Sequence, residues 1–151
     1  MDKLVMAIAT GFYTGYTPKA PGSMGSLVAF PIHFLILLLP GYGYYLALAA
    51  ILILAIITAG MAEKIIDRQD PGMVVIDEII GMLIGLIGAP LTLPALVAAF
   101  VLFRIFDIWK PFPVRWFDDH LHGGTGIVLD DVMAGIYTLA CMQGLYFFAI
   151  I

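Results

Sequence analysis

The sequence predicts an all-α membrane protein, a polytopic bundle of about five hydrophobic helices in a single domain covering residues 1–151. Hydrophobic residues make up 62% of the chain and charged residues only 12%, whereas soluble domains carry about 25% charged residues. The mean hydropathy is +1.04. The segments 20–62, 79–103 and 132–151 contain no Asp, Glu, Lys or Arg, and a membrane-spanning helix needs about 20 apolar residues. Composition and charge distribution therefore both favour helices that cross a membrane.

Turn residues divide these segments into individual helices. Pro40-Gly41-Tyr42-Gly43 interrupts the first segment, and Gly88-Ala89-Pro90 interrupts the second. Asp70-Pro71 has the form of a helix start, in which an N-cap acid is followed by proline at the first helical position. Lys110-Pro111 has the form of a helix end. The predicted helices cover 24–39, 43–62, 71–88, 94–109 and 131–151.

The basic residues predict the orientation of the bundle. All seven Lys and Arg residues lie in the charged segments, whereas the two predicted hairpin turns carry no charge. Because positively charged loops remain in the cytoplasm, the charged face is predicted to be cytoplasmic, with the N-terminus inside and the C-terminus outside. Polar groups concentrated at one face favour chemistry on a lipid-borne group over transport, which usually needs polar groups near the membrane midplane.

Charge and cysteine content exclude two other classes of protein. The net charge is −4 and the pI is ≈ 5.0, so the chain lacks the basic surface of a nucleic-acid-binding protein. The single cysteine, Cys141, excludes an intrachain disulfide framework. The sequence leaves the oligomeric state open.

Four charged residues of the third and fourth predicted helices are expected to meet at one depth. Asp77 and Glu78 lie among apolar neighbours, where an unpaired carboxylate is costly. In an antiparallel hairpin with a rise of about 1.5 Å per residue, they reach the level of Arg104 and Asp107. These side chains are therefore predicted to share a site. The alternative is a structural ion pair with Arg104.

Asp130 and Asp131 directly precede or begin the last predicted helix. One helix cap needs only one aspartate, so the adjacent second acid indicates a function. Carboxylate ligands without cysteine favour a hard cation, and Mg²⁺ first. The predicted metal ligands are Asp77, Glu78, Asp107, Asp130 and Asp131.

Two glycine-rich segments and three basic residues favour binding of a phosphate group. Glycine and serine at a helix start expose N–H groups and the positive end of the helix dipole to an anion, and successive N–H groups of a glycine loop can cradle one. A plain turn at the membrane boundary is the alternative interpretation. The candidate substrate-binding residues are Lys19, Gly22, Ser23, Gly25, Ser26, Gly123 and Gly124, assisted by Arg104 and Lys110.

A metal site beside a phosphate site at a membrane face predicts phosphoryl chemistry on a phospholipid. The alternative function, from a different class, is a small membrane cation carrier or channel that uses the acidic cluster as its ion path. A carrier needs acids that are reachable from both sides of the membrane, and the two uncharged turns offer none.

Four motifs in the same order carry a resemblance to a known family. They are Gly15–Leu27 (GYTPKAPGSMGSL), Val75–Met82 (VIDEIIGM), Phe103–Pro113 (FRIFDIWKPFP) and His122–Gly135 (HGGTGIVLDDVMAG). In these segments, which together reach over nearly the whole chain, the sequence resembles the phosphatidylglycerophosphatase A family. The resemblance implies a multi-pass, Mg²⁺-dependent lipid phosphatase of a bacterial inner membrane, which converts phosphatidylglycerophosphate into phosphatidylglycerol.

The resulting hypothesis is attack by a Mg²⁺-activated water on the terminal phosphomonoester. Formation of an aspartyl-phosphate is the competing route, and the residues do not select a nucleophile. The predicted catalytic residues are Asp77, Glu78, Asp107, Asp131, Arg104 and Lys110.

Overall fold

The computed structural model describes residues 2–148, without the side chain of residue 118, and every regular element in that range is helical. The all-α prediction is therefore confirmed for the described residues. A short 3₁₀ turn, Thr14–Tyr16, follows the first helix. The helices are α1 Asp2–Ala9, α2 Pro21–Ile36, α3 Gly43–Ile66, α4 Ile76–Gly85, α5 Leu93–Trp109, α6 Val114–His120 and α7 Gly123–Phe147.

The short helix α4 forms the centre of the bundle. Eight of its ten residues are buried, and it packs most extensively against α7, with α2, α3 and α5 also in contact with it. The backbones of α4 and α7 approach closely because both carry glycine where they cross. A Cβ added to Gly135 would overlap the carbonyl oxygen of Gly81, and one added to Gly81 would lie 2.5 Å from the carbonyl oxygen of Asp131. This close crossing brings the α7 aspartates next to the first turn of α4.

Two described helices, α3 and α7, are long and apolar enough to cross a membrane. The most apolar stretch of α3 has a mean hydropathy of 2.4 and that of α7 of 1.4, and only 28% of the α3 stretch is buried. The other three predicted helices correspond to α2, α4 and α5, which are shorter. With ten residues, α4 is about 15 Å long, against a hydrocarbon core of about 30 Å. The prediction of about five membrane-crossing helices is therefore not confirmed.

The predicted start of the third helix at Pro71 is wrong. Helix α4 begins at Ile76, and Asp70 is not its cap. A tertiary hydrogen bond explains the later start, because the Val75 amide donates to the Ala9 carbonyl oxygen at 2.9 Å and ties this segment to the end of α1. Asp77 and Glu78 consequently lie in the first turn of α4 rather than two turns inside it, where the helix dipole favours negative charge.

The predicted start of the last helix at 131 is also wrong. Helix α7 begins at Gly123, so Asp130 and Asp131 lie two turns inside it and cap nothing. The glycine pair, interpreted as a loop, is helical because Gly124 packs directly on α3, where an added Cβ would overlap the Ile56 carbonyl oxygen. This packing offsets the low helix propensity of glycine. The predicted end at 151 lies outside the described residues.

Helices α1 and α6 were not among the predicted helices. Both are short, with eight and seven residues respectively, and both lie within charged segments that were interpreted as loops. Helix α5 ends at Trp109, directly before Lys110-Pro111, as predicted.

Candidate active site

One pocket of about 420 Å³ collects the acids that the sequence singled out. It lies between the first turn of α4, the last turns of α5 and the second and third turns of α7. The acids predicted for the site come from the three helices α4, α5 and α7, which the central position of α4 and its glycine crossing with α7 bring together. Of the residues predicted from the sequence for the site, those that line this pocket are Asp77, Glu78, Asp107, Lys110, Gly123, Asp130 and Asp131.

Three of these acids form a tight cluster, called the carboxylate triad below. Asp77, Glu78 and Asp131 each offer a carboxylate oxygen, and these oxygens all lie within 4.8 Å of one another. Asp77 and Asp131 are buried. Among the described residues, Asp77 Oδ1 and Glu78 Oε2 have no hydrogen-bond partner. Buried carboxylates at this separation repel each other unless a proton or a cation neutralises them. The donor set therefore fits a hard, oxygen-liganded cation such as Mg²⁺.

The other two acids of the pocket are each held by a basic side chain. Asp107 Oδ2 lies 2.7 Å from Arg104 Nη1, and Asp130 Oδ2 lies 2.8 Å from Lys110 Nζ. These pairs place positive charge next to the triad. The local Arg104–Asp107 ion pair, which the sequence suggested as an alternative, is present, and among the described residues the triad acids form no salt bridge of this kind.

The start of α2 contacts the triad through Gly22. A Cβ at Gly22 would overlap Glu78 Oε1 and lie 3.0 Å from Arg104 Nη1. Only glycine therefore lets the first turn of α2 approach this carboxylate and guanidinium. This contact brings one candidate phosphate-binding segment next to the metal-binding candidates.

The remaining candidates on α2, and Lys19 before it, do not contact the triad in this way. A Cβ at Gly25 would lie 2.7 Å from the Val75 Cβ, so this glycine serves helix packing. The buried Ser26 hydroxyl donates to the Gly22 carbonyl oxygen at 2.9 Å. Ser23 is half-buried and Lys19 is exposed, and neither is among the residues that line the acidic pocket. The structure thus brings Gly22 alone of these residues to the triad.

The two candidate glycines at the start of α7 also have separate roles. Gly123, with φ +69°, lines the acidic pocket. Gly124 faces α3, where it allows the close contact with the Ile56 carbonyl oxygen. The two glycines therefore do not act together as the expected cradle, because one lines the pocket and the other packs against a helix.

Sequence reasoning missed part of the pocket wall. Glu63, Gln69 and His122 line it, and Gln69 Nε2 and His122 Nδ1 lie 3.3 Å apart. Glu63 stands at the end of α3 and Gln69 in the following loop, so no spacing within one helix connects them to the triad. Their position in the charged segments was the one available signal.

The fold and the pocket together define the class of protein. It is a helical protein with membrane-length helices and a buried carboxylate cluster, suited to a divalent cation, beside basic side chains. The family model described as Phosphatidylglycerophosphatase A matches residues 7–146. The chain belongs to this family, and it is accordingly an enzyme, a phosphatase of phospholipid metabolism.

Curated relatives agree with the family model. Phosphatidylglycerophosphatase A of Escherichia coli strain K12 is 43% identical over 130 residues, covering 85% of this chain and 76% of that protein. The protein of the same name from Haemophilus influenzae is 39% identical over 134 residues, covering 87% and 82%. A Bacteroides thetaiotaomicron protein with the provisional name phosphatidylinositol-3-phosphatase is 39% identical over 142 residues, covering 89% of each chain. No solved structure gives a significant match. The cation-carrier alternative finds no support in these relatives.

Proposed function

We propose that this chain hydrolyses the terminal phosphomonoester of phosphatidylglycerophosphate, which yields phosphatidylglycerol and inorganic phosphate. The observation that carries this proposal is the carboxylate triad, bordered by Lys110 and Arg104, in a chain 43% identical to a phosphatidylglycerophosphatase A. A phosphomonoester is doubly charged near neutral pH, so its binding site needs positive charge that the acids alone do not provide.

Mg²⁺ is the cation that we assign to the site. Asp77, Glu78 and Asp131 would hold it, because their oxygens converge and two of them lack other partners. Asp107 and Asp130 complete the predicted ligand set at the border of the pocket. When bound, Mg²⁺ would neutralise phosphate oxygens and increase the acidity of water.

The residues around the triad have separate tasks in this proposal. Lys110 and Arg104 stabilise the charge on the equatorial phosphate oxygens. The Gly22 turn of α2 presents backbone N–H groups to the phosphate, with Ser23, Gly25, Ser26 and Lys19 as its supporting segment. Gly123 lines the pocket on the α7 side, and Gly124 packs the start of α7 against α3. Water attacks phosphorus in line with the leaving glycerol oxygen, and the aspartyl-phosphate route remains the competing mechanism.

The proposed location is the cytoplasmic face of a bacterial inner membrane, in a multi-pass arrangement. All seven basic residues lie in the charged segments, and such segments remain cytoplasmic. The membrane lengths of α3 and α7 support insertion. Phospholipid in the same membrane is the proposed substrate partner, and no nucleic acid is expected.

The test is phosphate release by the purified protein in detergent. Phosphatidylglycerophosphate is supplied with Mg²⁺, then with EDTA, then with Mg²⁺ restored. We expect release that EDTA abolishes and Mg²⁺ restores. Release that is unchanged in EDTA would contradict the metal assignment, and no release by folded protein would contradict the activity.

A parallel assay tests the choice of lipid. Phosphatidylinositol 3-phosphate is the competing substrate, because one relative is named for its hydrolysis. We expect a higher kcat/KM for phosphatidylglycerophosphate. The opposite order would reassign the head group and leave the phosphatase chemistry intact.

A further inference from the structure

The corner between α5 and α6 exposes three aromatic rings on a fixed backbone. Trp109, Phe112 and Trp116, called the aromatic corner below, are 73%, 79% and 45% exposed. The backbone that carries them is held in place, because Val114 is fully buried and the Tyr137 hydroxyl donates to the Phe112 carbonyl oxygen at 2.7 Å. The exposure of these rings therefore belongs to the folded state and is not the result of a loose loop.

These rings line a second pocket, of about 560 Å³, that adjoins the acidic one. Lys110 belongs to the walls of both pockets. From Lys110 the second pocket continues along the aromatic corner to Arg115. A molecule bound at the triad can thus extend past Lys110 into an environment of aromatic rings and a guanidinium group. Its lining residues are Trp109, Lys110, Pro111, Phe112, Arg115, Trp116, Asp119 and His120.

The chemistry of the substrate calls for such a second environment, an argument that rests on the proposed function. Phosphatidylglycerophosphate carries two phosphates, a terminal monoester and a diester that joins its glycerol to the diacylglycerol. When the monoester lies at the triad, the diester is placed one glycerol away and carries its own negative charge. Arginine suits phosphate oxygens, and tryptophan suits the boundary between lipid head groups and acyl chains.

We propose that the second pocket binds the phosphodiester of the substrate, with Arg115 as the cation and the aromatic corner against the glycerol backbone and first acyl carbons. The Arg115 guanidinium can exchange its carboxylate partner for a phosphate. Its Nε lies 3.6 Å from Asp119 Oδ2, and both side chains are mostly exposed. An exposed pair of this kind contributes little to stability, so the guanidinium can leave Asp119 for a phosphate.

The proposal makes Arg115 a specificity-determining residue. Phosphatidic acid has a phosphomonoester directly on the diacylglycerol and no diester. With its phosphate at the triad, it leaves the Arg115 site unused. The site therefore favours phosphatidylglycerophosphate over phosphatidic acid through binding of a group that is remote from the reacting phosphorus.

The experiment compares KM and kcat for these two lipids with identical acyl chains in the same mixed micelles. For Arg115→Gln we expect KM for phosphatidylglycerophosphate to rise about five- to tenfold, the scale of one charge-assisted phosphate contact. We expect kcat and the KM for phosphatidic acid to change less than twofold. Arg115→Lys retains the charge and should restore most of the affinity. Arg68→Gln, an exposed cation outside both pockets, is the matched control.

Two outcomes overturn the inference. Equal rises of KM for both lipids would show that Arg115 only attaches the protein to the micelle surface, and unchanged KM values would show that it contacts neither lipid.

Should the wild type not turn over phosphatidic acid, inhibition by phosphatidylglycerol, which carries the diester alone, replaces the comparison with phosphatidic acid. Its inhibition constant should rise in Arg115→Gln, and an unchanged constant contradicts the proposal. Failure of the proposed function itself would be seen separately, as no phosphate release from phosphatidylglycerophosphate by the wild type.

Discussion

The carboxylate triad and the two ion pairs at its border both contain acidic side chains of one pocket. Among the described residues, the acids of the border pairs form salt bridges and the acids of the triad do not. Asp77, Glu78 and Asp131 place carboxylate oxygens within 4.8 Å of one another. Asp107 and Asp130, in the same pocket, are each within 3 Å of a basic group, at 2.7 Å and 2.8 Å. Each border acid forms a salt bridge with a basic side chain, whereas the triad acids need a proton or a cation to neutralise them. The partners of an acid, more than its presence in a pocket, therefore indicate its function.

The largest effect is expected at the triad. Asp131→Asn removes one ligand and should lower phosphate release at least about a thousandfold at saturating lipid, because the cation loses its position. The melting temperature in EDTA should not fall, since the substitution reduces repulsion among buried carboxylates. A clear fall in melting temperature with activity retained would show that Asp131 has a structural role instead.

A smaller effect is expected at the border. Lys110→Gln should lower kcat about a hundredfold, the scale for removal of one group that stabilises the transition state, and should leave Mg²⁺ affinity within a few-fold. The measurement is kcat as a function of Mg²⁺ concentration. If saturating Mg²⁺ restored full activity, Lys110 would act through the metal site and the distinction between triad and border would fail.

The contact between α2 and the triad is tested by one methyl group. Gly22→Ala places a Cβ against Glu78 and Arg104, and the resulting displacement should raise the Mg²⁺ concentration for half-maximal activity about tenfold. Gly144→Ala is the matched control, because nothing lies within 4 Å of its added Cβ. The same Mg²⁺ concentration for half-maximal activity in both variants would show that Gly22 has no role in the site.

The smallest effect is expected at Ser26. Its hydroxyl is buried and bonded to the Gly22 carbonyl oxygen, so Ser26→Ala should change KM less than about twofold while destabilising the fold by about 1 kcal/mol. Thermal unfolding and steady-state kinetics on the same preparation separate the two quantities. A large rise in KM with unchanged stability would restore the direct phosphate contact that the sequence predicted.

The sequence predicted the members of the pocket better than the helices that carry them. Asp77, Glu78 and Asp107 could be brought together by residue counting, because α4 and α5 form an antiparallel hairpin. The starts of α4 and α7 were missed because distant contacts decide them: Val75 bonds to Ala9, and Gly124 packs on α3. Local start signals carry no information about such partners.

The pocket wall at Glu63 and Gln69 escaped prediction for the same reason. Neither residue has a periodic relation to the triad, and the loop after α3 brings them there. Conversely, Ser26 matched an anion-binding pattern, yet its hydroxyl is used within its own helix. A pattern of residue types predicts what a segment can bind, and the neighbours in space determine what it does bind.

The most direct test of the central claim is binding of Mg²⁺ to the triad in the absence of lipid. Calorimetric titration of EDTA-stripped protein in detergent should give saturable Mg²⁺ binding that Asp131→Asn abolishes. Asp67→Asn, an exposed acid outside the pocket, should bind as the wild type does. Equal Mg²⁺ affinity in the wild type and Asp131→Asn would contradict the account, because the triad would then not be the metal site.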